Sequence, residues 1–212
     1  MFAPRDEAEL LARALALEGS TLDSLARSDL RVGLHTKGKA GMLIETALGA
    51  TGGSAATWDF PALRIELKTI PMDHRAKPKE STFVCAFAIA DADRAVWNDS
   101  WVAAKLRRVL WVPLHDVGEG GRRIGRARMW SPSVEEEATL RSDFDEIVGS
   151  IGALGIESVS APIGEALQLR PKAAHGRIRT VVRSNEGDLV ATVPRGFYLR
   201  PTFTARVITP AP

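Results

Sequence analysis

Asp59-Phe-Pro-Ala-Leu-Arg-Ile-Glu66-Leu-Lys68 joins the pattern of a β-strand to a set of charges that a strand does not need. Leu63, Ile65, Leu67 and Thr69 alternate with Arg64, Glu66, Lys68 and Ile70, so one apolar face is anchored in a core. Side chains two apart leave the same face, which places Glu66 and Lys68 together. Asp59 comes within reach of the strand's end if Pro61 turns the chain. Two carboxylates beside a lysine can hold a hard divalent cation through oxygen and position a water next to it. The same spacing also arises as solvated strand charges. The apolar opposite face is what sets this stretch apart.

Working outward, the surroundings read as mixed α and β. Arg5–Glu18 carries a helical stripe of Ala8, Leu11 and Leu15, ended by Gly19, and a second helix starts after Thr21. Met42–Leu48 is an apolar helix bearing Glu45, a third carboxylate that needs a partner or a metal if buried; pairing with Lys37 or Lys39 is the alternative. Thr82–Ile89 is apolar on both faces, as expected of a central strand, and Arg108–Val112 is a strand stopped by Pro113. A Gly-rich turn over 116–123 precedes a strand through Met129. Ser133-x-x-Glu136 is a capping box opening a helix with the stripe Leu140, Phe144, Ile147, Val148 and Ile151. Leu167–Arg170, Thr180–Arg183 and Leu189–Val193 read as short strands. Gly33-Leu-His-Thr-Lys-Gly-Lys-Ala40 resembles a phosphate-binding loop but ends in Ala40 where Ser or Thr would hold Mg²⁺, which argues against a nucleotide site.

Composition narrows the classes. At 212 residues, 45% hydrophobic and 25% charged, the chain is an ordinary globular one; disorder and a disulfide scaffold are excluded, and Cys85 stands alone. Four scattered histidines argue against zinc. No stretch is apolar enough to span a bilayer, and the start of the chain has no signal-peptide core, so a cytoplasmic protein without membrane contact is expected. The net charge of +2 conceals an asymmetry. Residues 170–212 hold eight basic side chains against two acids, and residues 1–169 hold 20 bases and 24 acids. A basic tail third points to a polyanion-facing surface, with a solvated Arg-rich face as the alternative.

Longer blocks then align with something specific: Gly41-Met-Leu-Ile-Glu-Thr-Ala-Leu-Gly-Ala50, Glu66-Leu-Lys-Thr-Ile-Pro71, Thr82-Phe-Val-Cys85, Lys105-Leu-Arg-Arg-Val-Leu-Trp-Val-Pro113, Trp130-Ser-Pro, Leu169-Arg-Pro-Lys-Ala-Ala174 and Pro194-Arg-Gly-Phe-Tyr-Leu199. In order and spacing the chain resembles the MutH family of DNA mismatch-repair endonucleases, within the restriction-endonuclease superfamily with its PD-(D/E)xK core. The resemblance implies one α/β, mixed-sheet endonuclease domain over 1–212, with two lobes around a DNA-binding cleft. It implies that Asp59 and Glu66 bind the metal, Lys68 is the catalytic lysine, Glu45 is the helical glutamate of the active site and Lys105 is a further active-site lysine. The plain reading leaves Lys105 as surface charge. It further implies that Lys37 contacts DNA, that Arg170 and Lys172 lie in the loop that reads GATC, and that Tyr198 senses adenine methylation. On its residues alone Tyr198 reads as a core aromatic continuing Phe197.

The implied activity is Mg²⁺-dependent hydrolysis that nicks the unmethylated strand of hemimethylated GATC on the 5′ side of the G. The implied partners are double-stranded DNA and MutL, with MutS upstream, and the chain is expected to be a monomer. The sequence departs from the family pattern in a shorter N-terminus and a Pro-rich end, Thr209-Pro-Ala-Pro212, where the family's C-terminal helix helps set the response to MutL. Two other readings share these residues. One is a stand-alone restriction enzyme cutting unmethylated GATC; the other is a non-catalytic, methylation-sensitive DNA-binding protein.

Overall fold

Asp6 opens the first helix, α1 (Glu7–Ala16), its carboxylate accepting the Glu9 N–H at 2.8 Å. In the computed structural model, which describes residues 2–28, 39–53, 57–118, 121–154, 163–172, 180–183 and 189–209, this helix buries Leu10 and Ala14 and gives way to Gly19 at φ +82°. The Thr21 hydroxyl accepts from Ser24 N–H at the start of α2 (Leu22–Ser28). Helix α3 (Lys39–Leu48) begins three residues before the expected Met42.

Strand β1 (Glu66–Met72) starts later than the alternation from Leu63 suggests. Residues 60–65 form a closed turn instead. Phe60 and Ile65 exchange backbone hydrogen bonds of 3.0 and 3.3 Å, and Arg64 adopts φ +54°. After β2 (Thr82–Phe87) come two short 3₁₀ helices (Ile89–Arg94 and Trp97–Asp99), α4 (Trp101–Leu106) and β3 (Val109–Asp116). Then follow β4 (Arg122–Ile124), β5 (Arg128–Trp130) and α5 (Val134–Leu154). The chain continues through β6 (Leu167–Pro171), β7 (Thr180–Arg183), β8 (Leu189–Thr192), β9 (Arg195–Leu199) and α6 (Pro201–Ile208). Neither β9 nor α6 is among the elements expected from the sequence.

The described chain clusters into two compact units. One comprises residues 1–80, 107–131 and 205–212, the other 81–106 and 132–204. In the first, β3 pairs in parallel with β1 along its length, Glu66 opposite Val109 and Met72 opposite His115. The other edge of β3 is shared by β4 and β5, both antiparallel. Pro113 does not stop the strand. Its carbonyl accepts the Gly125 N–H at 2.8 Å, so its hydrogen-free nitrogen points to the same edge, into the interval between β4 and β5 where no ladder bond is lost. Leu10 and Ala14 of α1, Ile44 and Leu48 of α3, and Leu67, Leu110, Val112 and Leu114 of the sheet form one core.

In the second unit the strands run β2-β9-β6, all antiparallel, with β7 and β8 pairing separately. The central strand is therefore β9, and β2, expected at the centre, is an edge. A bulge between Phe83 and Cys85 breaks its alternation and leaves Val84 and Cys85 both buried, which is why its sequence looks apolar on both faces. The capping box at Ser133 forms as expected, with bonds of 2.9 and 3.2 Å, and the α5 stripe is fully buried. Phe144 of α5 stacks on Phe197 of β9, ring centroids 5.3 Å apart.

Candidate active site

The closed turn over 60–65 doubles the chain back, so Asp59 meets β1. Its Oδ2 accepts the backbone N–H of Leu67 at 2.7 Å, fixing the carboxylate beside the residue between Glu66 and Lys68. Glu66 is 3% exposed, and its Oε1 accepts from Lys68 Nζ at 2.8 Å. Gly52 supports the turn from behind. A Cβ there would lie 2.0 Å from the Trp58 carbonyl oxygen, while the N–H groups of Thr51 and Gly52 both reach the Asp59 carbonyl at 3.0 Å.

Glu45 comes from α3, one turn beyond Gly41, which faces both Thr69 of β1 and the Glu45 carboxylate at ordinary contact distance. Burial, followed by the charges of Asp59 and Glu66, pushes the Glu45 carboxyl above its ordinary range, and Lys68 opposes this only in part. Glu45 thus feels two further acids and one lysine. Among the described residues no three His, Cys, Asp or Glu side chains gather at metal-ligating distance. The donor set that fits a cation is the Asp59–Glu66 pair, hard oxygen donors of the kind Mg²⁺ takes one or two at a time and completes with water and phosphate oxygens.

The remaining site residues belong to the second unit. Lys105 lies half-buried on α4. Tyr198 of β9 is not a continuation of the core. Phe197 is fully buried, but Tyr198, next along the strand, turns to the opposite face and is half-buried. There its ring meets Phe83 edge-on at 5.2 Å, and the Arg170 guanidinium stands 5.7 Å from its centroid. Lys172 Nζ stands 5.0 Å over Phe83. Two rings and two cations therefore share one face of the β2-β9-β6 sheet. Phe83, Gln168 and Ser81, which complete this group, escape sequence reasoning because their partners are distant in the chain. Lys37 lies outside the described residues.

A comparison with protein families matches residues 48–143 to MutH, described as the DNA mismatch repair enzyme MutH. The DNA mismatch repair protein MutH of Pectobacterium atrosepticum is 44% identical over 97% of this chain and 92% of its own length. Those of Yersinia pseudotuberculosis and Yersinia pestis are 43% identical over 97% of this chain and 93% of theirs. The chain belongs to the MutH family of DNA mismatch repair enzymes. The two-sheet α/β architecture is accordingly the restriction-endonuclease-like fold of the MutH family. The stretch matched to MutH contains Asp59, Glu66, Lys68, Phe83 and Lys105, whereas Glu45, Arg170, Lys172 and Tyr198 lie outside it. No described helix is long and apolar enough to cross a membrane.

Proposed function

We propose that this chain is a cytoplasmic, monomeric, Mg²⁺-dependent endonuclease that nicks the unmethylated strand of hemimethylated GATC on the 5′ side of the G, responding to MutL with MutS upstream. The observation that carries the reading is the Asp59–Glu66–Lys68 arrangement on β1, held by the Leu67 N–H and the buried Glu66–Lys68 pair. Asp59 and Glu66 would hold Mg²⁺, which would supply polarisation of the scissile phosphate and a more acidic water. Lys68 would orient the attacking water or take its proton, and with Lys105 it would stabilise charge gathering on the phosphorus oxygens. Glu45 adds negative charge that favours a cation over an empty site.

Arg170 reads guanine, since its fork meets O6 and N7 together, and Lys172 and Lys37 contact phosphates. Tyr198 packs against the adenine whose N6 carries the methyl group. The ring pair with its two cations is the chemistry on which bases stack and a phosphate backbone is neutralised.

The test is a plasmid time course with GATC sites carrying zero, one or two methyl groups, with Mg²⁺ and with chelator. Nicked product confined to the unmethylated strand supports the reading. Linear product from unmethylated sites means a restriction enzyme, and untouched DNA means a binding protein. Asp59→Ala and Glu66→Ala abolish cleavage while DNA binding persists.

A further inference from the structure

Ser81 stands just before β2, and its Oγ accepts two hydrogen bonds, from Gln168 Nε2 at 2.6 Å and from Arg170 Nη1 at 3.1 Å. Gln168 is 6% exposed and lies opposite Tyr198 in the ladder, so it is a fixed point of the sheet. Arg170 follows on the same face of β6, two residues on, and is itself exposed. A free arginine has many rotamers, and choosing one on binding costs conformational entropy. Here the guanidinium is tied at one edge by the Ser81 oxygen and backed by the Tyr198 ring at 5.7 Å. A guanidinium carries five N–H donors, so a bond to Ser81 still allows a pair to be presented to a base. A phosphate contact tolerates a wandering cation, whereas bidentate reading of a guanine edge does not.

We propose that Ser81 is a positioning residue for base reading: held by Gln168, it fixes the Arg170 guanidinium over Tyr198 in a base-reading orientation. This rests on Arg170 being the group that reads guanine. The experiment measures binding of the full chain, in chelator at fixed salt, to a short duplex with one GATC. The same measurement is made on a duplex with both G·C pairs of the site replaced by A·T pairs. Ser81→Ala should lower the ratio of the two affinities roughly tenfold, the weight of one hydrogen bond to a charged group. Affinity for the altered duplex should stay at the wild-type value, while the melting temperature should fall modestly, because the buried Gln168 amide loses its Ser81 acceptor. Ser81→Thr, which restores the hydroxyl, should keep the ratio. If Ser81→Ala left the ratio unchanged while Arg170→Ala collapsed it, the positioning role would be overturned and base reading would stand. An unchanged ratio in Arg170→Ala would remove the base reading itself, and Ser81→Thr behaving like Ser81→Ala would rule out the hydroxyl.

Discussion

Glu45 is a carboxylate on an apolar helix, and its protonated form is favoured by burial and by the charges of Asp59 and Glu66. A carboxyl raised in the folded state binds its proton more tightly there than in the unfolded chain. Stability therefore falls as pH rises from the ordinary 4.5 through the raised value. Glutamine carries no charge to penalise. Glu45→Gln should melt higher than wild type at pH 8 and alike at pH 4, while cleavage falls by roughly tenfold or more, as for loss of a tuned active-site acid. Melts at the two pH values check this, and a difference independent of pH would discard the charge argument. Lys68 makes the complementary case. Its removal takes from the buried Glu66 carboxylate its paired ammonium, so Lys68→Ala should cost about 3 kcal/mol. Most of that should return in the double variant Lys68→Ala/Glu66→Gln, measured by denaturant unfolding; equal stabilities of the single and double variants would contradict the pairing.

Elements built from local patterns are legible in the sequence, and those built by long-range pairing are not. The α5 capping box and apolar stripe act within a few residues, and both form as read. Asp59, Glu66 and Lys68 are legible for the same reason, since one turn brings them together. Strand β9 hides because Gly196 and Tyr198 carry no apolar alternation of their own. Its place at the centre depends on β2 and β6, far away in sequence. The aromatic–basic face hides with it, for the Ser81–Gln168 bond joins residues 87 apart. Gly196 shows how tight that pairing is: a Cβ there would lie 2.7 Å from the Phe83 ring and 2.8 Å from the Cys85 carbonyl. Gly196→Ala should cost about 1–3 kcal/mol as an overpacked site and displace Phe83, read as a lower melting temperature together with weaker DNA binding. Asp143 of α5 holds the lead-in to β6, its carboxylate accepting from Glu165, Ala166 and Leu167 at 2.6–2.9 Å. Asp143→Ala should cost about 3 kcal/mol, because it strands buried N–H groups that water cannot reach. A loss below about 1 kcal/mol by chemical denaturation would show that the backbone finds other partners.

Across the whole molecule, the carboxylates assigned to cutting and the aromatic–basic group assigned to reading DNA fall in different compact units, while Lys105, assigned to cutting, belongs to the same unit as that group. Asp59, Glu66 and Glu45 belong to the unit formed by residues 1–80, 107–131 and 205–212, while Arg170, Lys172 and Tyr198 belong to the other. Along the sequence, residues 1–169 are acidic in balance and residues 170–212, which hold Arg170, Lys172 and Tyr198, are basic. Without a divalent cation, the acids repel a phosphate backbone and the basic face attracts it. Asp59→Ala should therefore bind DNA at least as tightly as wild type in chelator. Lys172→Ala should weaken binding to every duplex alike and flatten the dependence of log Kd on log salt by about one unit, as loss of a phosphate contact does. If cutting and holding are independent, the double variant's change in binding free energy should equal the sum of the single changes to within about 0.5 kcal/mol. Fluorescence anisotropy across a salt series measures all three. A larger departure from additivity would mean that Asp59 and Lys172 act on one shared DNA contact, and the separation of cutting from holding would have to be given up.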